Sequence, residues 1–392
     1  MSPDPSHGTG ARPGPVARIL LDERLLDALV ARMRSTPAVA EGVRLRAADP
    51  ALGVVAAEVE LAIVSTRLEL TRADHGRARA HVLMSGKVTW DFGLTQVSQD
   101  LDVRFSVLAR PWVVLRDGTG LEVGVDFGSA KVRDVDVTVH QMTSLPVGRA
   151  SDLIGPVGRR GLDRISGEAI RQFLRRIGRR EMVLETPIAE WLVLLGARTG
   201  RVAVSVHDGC GELRFDAPED WAWEPPPVAT DPAGPGSIVV DVDPTRAAPL
   251  VEHWLGSLAS DRERYTVAAF RPGAAGDHMP FELDVGLDRE LPGPLPPLSL
   301  PVRVEVAPHV HDARVGFELV DLQIPARRGG RRVLALLARV LAWKLANRLE
   351  IPGRWDLALP FGDHQGWLLG MRSLDVDHER VRVVLDTWFT PA

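Results

Sequence analysis

Cysteine, tyrosine and lysine are scarce in this sequence, and the first of these shortages closes off two classes of site. Cys210 is the one cysteine among 392 residues, which excludes an intrachain disulfide and a cysteine-based zinc site. Only Lys87, Lys131 and Lys344 among the 47 basic residues are lysine. With abundant alanine, glycine, proline and valine, this reads as the codon bias expected of a GC-rich bacterial genome. A net charge of −5 argues against a general polyanion binder, so no nucleic-acid partner is expected. No run approaches the roughly 18 apolar residues of a membrane span, and residues 1–15 lack the apolar segment of a secretory signal. Together these absences set the expectation of a cytoplasmic protein, at most peripheral to a membrane.

Catalytic signatures are missing too. There is no G-x-S-x-G elbow. Gly118-Thr119-Gly120 precedes a strand pattern rather than a helix, so it does not read as a phosphate loop. Cys210 lies between Gly209 and Gly211 in an expected hairpin turn with no base nearby. His309 and His311 share one side of a strand and form the best metal pair, but no third ligand is indicated. Asp277-His278 and Asp363-His364 sit in Gly-rich loops and read as turn chemistry. The expectation is no enzyme, no metal and no cofactor.

What the chain does have is pattern. Residues 1–15 read as a disordered leader. A strand from Val16 to Leu21 meets Asp22, an N-cap, and a helix follows with Leu25, Leu26, Leu29, Val30 and Met33 on one face. From about residue 42 to 140 the period becomes two: Ala78, Ala80, Val82, Met84, Gly86, Val88 and Trp90 alternate with polar neighbours. Leu101, Val103, Phe105 and Val107 do the same. Turn residues separate these runs, which predicts an antiparallel meander with one apolar face. A long helix over about 160–181 carries the stripe Leu162, Ile165, Ala169, Ile170, Phe173, Leu174 and Ile177. Its opposite face carries Arg171, Arg175 and Arg179, read either as a membrane-facing surface or as the wet side of a buried helix.

The pattern then restarts. Six prolines between residues 217 and 236 break both helix and ladder. After them come a strand from Ile238 to Val242, Asp243-Pro244 as cap and first turn, and a helix to about Ser260, delayed by Pro249. Strands follow around Leu283 and Val285, 302–306 and 315–319. A second long helix over about 330–350 is apolar nearly all round, so protein, a partner chain or lipid must cover it. Leu162, Ile165, Ala169, Phe173 and Ile177 match Leu334, Leu337, Leu341, Leu345 and Leu349 at one constant offset. Trp191-Leu192-Val193-Leu194-Leu195-Gly196 is likewise echoed by Trp367-Leu368-Leu369-Gly370. The expected fold is α+β: two related units, 16–216 and 237–392, joined by the Pro-rich linker 217–236. Each would be a curved antiparallel sheet on a long helix, preceded by a short one.

This order of elements resembles the tubular lipid-binding (TULIP-like) superfamily. That group includes the relatives of the bactericidal/permeability-increasing protein, the lipid-transfer modules of membrane contact sites, and bacterial phospholipid-binding proteins of the LmeA type. The likeness to the last is closest in the two "strand, Asp, helix" openings and the "long helix, loop, strand pair" ending. The resemblance implies an apolar trough that takes acyl chains, with lipid binding or transfer and no catalysis. Candidate lipid contacts are Val82, Met84, Val88, Ile165, Phe173 and Ile177 in the first unit, and Leu283, Val285, Leu337, Leu341 and Leu345 in the second. The alternative is a protein-interaction scaffold with a filled core and a docking face on the 330–350 helix.

Overall fold

The computed structural model describes residues 14–33, 42–49, 54–91, 96–116, 120–140, 156–177, 179–217, 223–228, 236–258, 266–269, 279–287, 298–311, 314–323, 350–358, 366–377 and 379–389. Within 266–308 it describes the backbone alone. The first half runs β1 (Pro15–Asp22), α1 (Glu23–Met33), β2 (Val43–Asp49), β3 (Val54–Leu70), β4 (Ala78–Asp91), β5 (Gln96–Leu115), β6 (Gly120–Val139), α2 (Pro156–Ile177), β7 (Arg179–Glu185), α3 (Pro187–Leu194), β8 (Gly200–His207) and β9 (Cys210–Asp216). The second runs β10 (Ser237–Val242), α4 (Ala248–Leu258), β11 (Thr266–Ala269), β12 (Met279–Leu287), β13 (Leu298–His311), β14 (Arg314–Gln323), β15 (Glu350–Pro352), β16 (Arg354–Ala358), β17 (Gly366–Val376) and β18 (Val381–Phe389). Helices pack on a dominantly antiparallel sheet, an α+β fold. The expected contacts Leu337, Leu341 and Leu345, and the 330–350 helix that carries them, lie outside the described residues.

The meander forms where the two-residue period predicts it. β3 to β6 pair in sequence order, and Met84 on β4 stands opposite Ile63 on β3 and Val103 on β5. The turn between β3 and β4 is a 3₁₀ turn ending at His75 (φ 54°) and Gly76 (φ 75°), left-handed positions suited to glycine and tolerated by histidine. Asp243 caps a 3₁₀ turn that begins at Pro244, and α4 starts only at Ala248. Pro249 falls in its first turn, where its missing N–H costs nothing.

At the centre, strands from both halves share one sheet. The order β17-β18-β10-β1-β9-β8 reads alike from either side of the β1–β10 pair. Register follows the same rule. Ala17, Ile19 and Leu21 face Phe215, Leu213 and Gly211, while Ile238, Val240 and Val242 face Leu385, Val383 and Val381. One core runs through this centre, taking Val16, Ile19, Leu192 and Phe215 from the first half and Val240, Leu369, Met371 and Leu385 from the second.

Two expectations are corrected. The long helix stops at Ile177, so Arg179 lies in β7, paired with β6, and not on the helix face with Arg171 and Arg175. Gly178 follows Ile177 in sequence, a residue type that commonly ends helices. The echoed Trp-Leu strings also differ in structure. Trp191 belongs to α3, whereas Trp367 belongs to β17. Thr186 caps α3 through its hydroxyl (3.2 Å to the Ile188 N–H), with Pro187 at the first helical position. Gly196 ends it at φ 80°, its N–H bonded to the Val193 carbonyl. In β17 the matching Gly370 sits between Arg354 and Asp386 in the ladder.

Candidate functional site

The inner face of the meander is covered unevenly. α2 lays Ile165, Ala169, Ile170, Phe173 and Leu174 against Val43, Val59, Leu61, Met84, Val88, Leu101 and Val103. Met84 and Val88 are 0% exposed, Ile165 5% and Phe173 3%. Protein atoms therefore enclose four of the expected lipid contacts, and a hydrocarbon chain reaches them only if α2 moves. Val82, also expected, is half-buried at the margin of this cluster with Ile63, Phe127, Val132 and Val137. α1 covers the next stretch of the same sheet, where Leu68, Leu70, Ala78 and Ala80 meet Leu26, Val30 and Val206. Val82 thus lies between two helix-covered zones, on apolar surface that protein covers only in part. Ile177, Leu283 and Val285 are placed by backbone alone, on α2 and β12.

α2 turns Arg164, Arg171 and Arg175 to solvent. Arg171 donates to Glu168 at 3.1 Å, and Arg175 stands 3.8 Å from the same carboxylate. The apolar stripe faces the sheet, so α2 does not lie on a bilayer by that stripe. What it offers a surface is the arginine face alone.

The opposite face of the central sheet holds a buried charge row. Arg18 on β1 is 1% exposed and Asp241 on β10 is 0% exposed. The Arg18 guanidinium donates to Asp241 and to the Pro226 carbonyl, and its Nη1 lies 3.9 Å from Glu212. Arg382 on β18 donates to Asp241 at 2.7 Å, while His207 and Arg214 meet Glu212 at 2.7 and 2.9 Å. Burial alone would raise both carboxyl pKa values; donors outweigh it, Arg382 and Arg18 for Asp241, Arg214 and His207 for Glu212, and both end lowered. The Pro-rich segment covers this face, with Pro225 buried, Val228 against Leu20, Val239 and Val384, and Trp223 donating to the Glu379 carbonyl at 2.8 Å. Sequence reading missed the row. Its trace in the sequence is one charged residue inside each of two apolar strands, Arg18 and Asp241.

Cys210 sits at the β8–β9 turn, fully buried. Burial pushes its thiol up to about 11, with Glu212 and Asp22 adding to the effect. A protonated, enclosed thiol is a poor nucleophile. A thiol reagent is expected to label Cys210 only when denaturant unfolds the protein, followed by absorbance with and without urea; full labelling in native buffer would contradict the burial.

His309 and His311 are exposed at the end of β13, the His309 ring lying over Gly316. Among the described residues no three His, Cys, Asp or Glu side chains gather in a metal-holding group, and Asp312 lies outside them. Among the described residues no helix is long and apolar enough to cross a membrane.

One open cleft of about 400 Å³ is lined by Arg110, Trp112 and Val114 of β5, Asp126 and Ser129 of β6, and Arg201 of β8. It forms where β5 changes neighbours: β4 pairs with it as far as Ala109 and β8 takes over at Val113.

No protein-family model matches the chain, and no curated protein matches it. Among solved structures it is similar to one titled "Crystal structure of lipopolysaccharide binding protein", at 11% identity and TM-score 0.36, covering 96% of this chain and 99% of that one. A TM-score of 0.36 is too low for the likeness to carry weight.

Proposed function

We propose that this protein is a non-catalytic binder or carrier of lipid, built from two related halves, taking acyl chains along the apolar face of the β3–β6 meander. The supporting observation is the partial cover around Val82: inward-facing Ile63, Val82, Phe127, Val132 and Val137 remain half-buried although the face beyond them is sealed by α2. A chain laid there completes the burial at about 0.8 kcal/mol per methylene. Met84, Val88, Ile165 and Phe173 then serve as the closed end of the trough, reached only if α2 shifts. The mirrored strand order about β1 and β10 supports reading the second half as a diverged copy.

The test is lipid extraction and native mass spectrometry on protein purified without detergent. Lipid is expected in the wild type. Polar substitutions at Val82→Gln and Val132→Gln together are expected to weaken acyl binding about tenfold or more, because two to three methylenes lose their contacts. Absence of lipid from the wild type, or unchanged loading of the variant, rejects the trough.

A second reading, an interaction scaffold with a filled core, is favoured by one observation: Met84, Val88, Leu101, Val103, Ala169 and Ile170 are all 0% exposed, enclosed by protein atoms. It expects no lipid and a stable protein partner.

A further inference from the structure

The cleft at the β4–β8 changeover carries a recognition chemistry separate from the acyl trough. Arg110, Trp112 and Val114 are alternate residues of β5 and share one face, while Val113 and Leu115 between and beyond them point into the main core. The cleft therefore opens away from that core. Its floor is the indole of Trp112, 9% exposed, and its walls carry two exposed guanidinium groups, Arg110 from β5 and Arg201 from β8. Arg201 stands opposite Val114 in register, one alternate position along from Trp112.

Three other arginines of the neighbouring strands are held by carboxylates. Arg116 is held by Glu122, Arg214 by Glu212 and Arg79 by Asp74. Arg110 and Arg201 make no ion pair or side-chain hydrogen bond among the described residues. The one carboxylate in the cleft, Asp126, accepts from the Ser129 N–H at 3.4 Å, and Ser129 adds a hydroxyl to the lining. Two guanidinium groups lining one cleft, neither ion-paired among the described residues, offer planar donor forks of the kind that suit the oxygens of a phosphate. The aromatic floor and a volume within the usual range of ligand pockets leave room for a larger body attached to that anion.

We infer that the Arg110–Trp112–Arg201 cleft is an oxyanion site that binds the phosphate of an esterified ligand, its organic part resting on Trp112. The same chemistry is presented by an anionic phospholipid headgroup and by a soluble phosphate ester.

The experiment follows Trp112 in the full chain labelled with 5-fluorotryptophan, its ¹⁹F resonance assigned by Trp112→Phe. One arm titrates glycerol 3-phosphate; a second adds vesicles of phosphatidylcholine alone or with one quarter phosphatidylglycerol. Movement of the Trp112 resonance by glycerol 3-phosphate, weakened at least tenfold in Arg110→Gln/Arg201→Gln, supports the site with a soluble source. Movement only by the phosphatidylglycerol vesicles, lost in the same variant, supports it with a lipid source. A resonance that neither probe moves, or equal affinity in the double variant, overturns it. Both arginines are solvent-exposed, so the variant keeps the fold, and Arg201→Gln alone serves as the milder check. Glycerol 3-phosphate has no acyl chain, so this result stands or falls independently of the trough at Val82.

Discussion

Asp241→Ala is expected to destabilise the protein by about 3–5 kcal/mol, the usual cost of removing one partner from a buried ion pair. The reason is what remains. Arg18 is 1% exposed and would keep a full charge beneath the Pro-rich cover, retaining the Pro226 carbonyl and a distant Glu212. Arg382 is only partly buried and can turn to water. The double substitution Arg18→Met/Asp241→Leu should therefore be less damaging than Asp241→Ala alone, because it removes the stranded charge along with its partner. Urea denaturation of the three proteins checks both statements. Equal losses for the single and double variants would mean that packing, not charge, holds β1 to β10.

The same row sets an acid limit. Asp241 and Glu212 have lowered pKa values in the folded protein. A carboxylate depressed on folding contributes stability that is fully present above its unfolded value, about 4, and is lost as pH falls through the folded value. The wild type should hold its stability from neutrality down to about pH 4 and lose it below. Asp241→Ala should show a shallower decline over that window, since one of the two titrating groups is gone. Circular dichroism melts at stepped pH measure the difference.

How far the sequence discloses this architecture depends on what each residue must know. The meander and the α2 stripe were legible because period two and period 3.6 are local properties, and Met84, Val88, Ile165 and Phe173 lie in one cluster, as their spacing implies. Asp22 and Asp243 were legible as stops after apolar strands. α3 was not resolved because Trp191-Leu192-Val193-Leu194-Leu195 is apolar on every side, and periodicity cannot separate a buried helix from a buried strand. Thr186-Pro187 before it and Gly196 after it were the deciding signals. The charge row was missed for another reason. Arg18 looks like the solvent side of an edge strand until a segment more than two hundred residues away, at Pro226, covers it. The cleft depends on β5 exchanging β4 for β8, a fact about pairing that no window of sequence contains.

Glycine at position 86 should be indispensable, and the expected sign of its substitution is opposite to what strand propensity predicts. Glycine inside a strand is ordinarily a weakness, so alanine there would stabilise an open ladder. Here β3 passes so close to β4 that a Cβ on Gly86 would fall against the Glu60 carbonyl oxygen, 2.8 Å from its carbon and 3.0 Å from the Leu61 Cα. Those are backbone atoms with no rotamer to yield. Relief requires parting β3 from β4 at the middle of the α2-covered core, where Leu61 and Leu101 flank Gly86 on either strand. Overpacking typically costs about 1–3 kcal/mol, and a clash with main chain belongs at or above the upper end of that range. Gly167 is the matched control: nothing lies within 4 Å of its added Cβ, and its place in α2 makes alanine the better helix former. Gly167→Ala should raise stability by about 0.5–1 kcal/mol, while Gly86→Ala lowers it several-fold more and loosens the face that the acyl chain is proposed to use. Thermal melts of the two variants decide the matter, and a Gly86→Ala protein as stable as the wild type would mean that β3 and β4 do not approach as described.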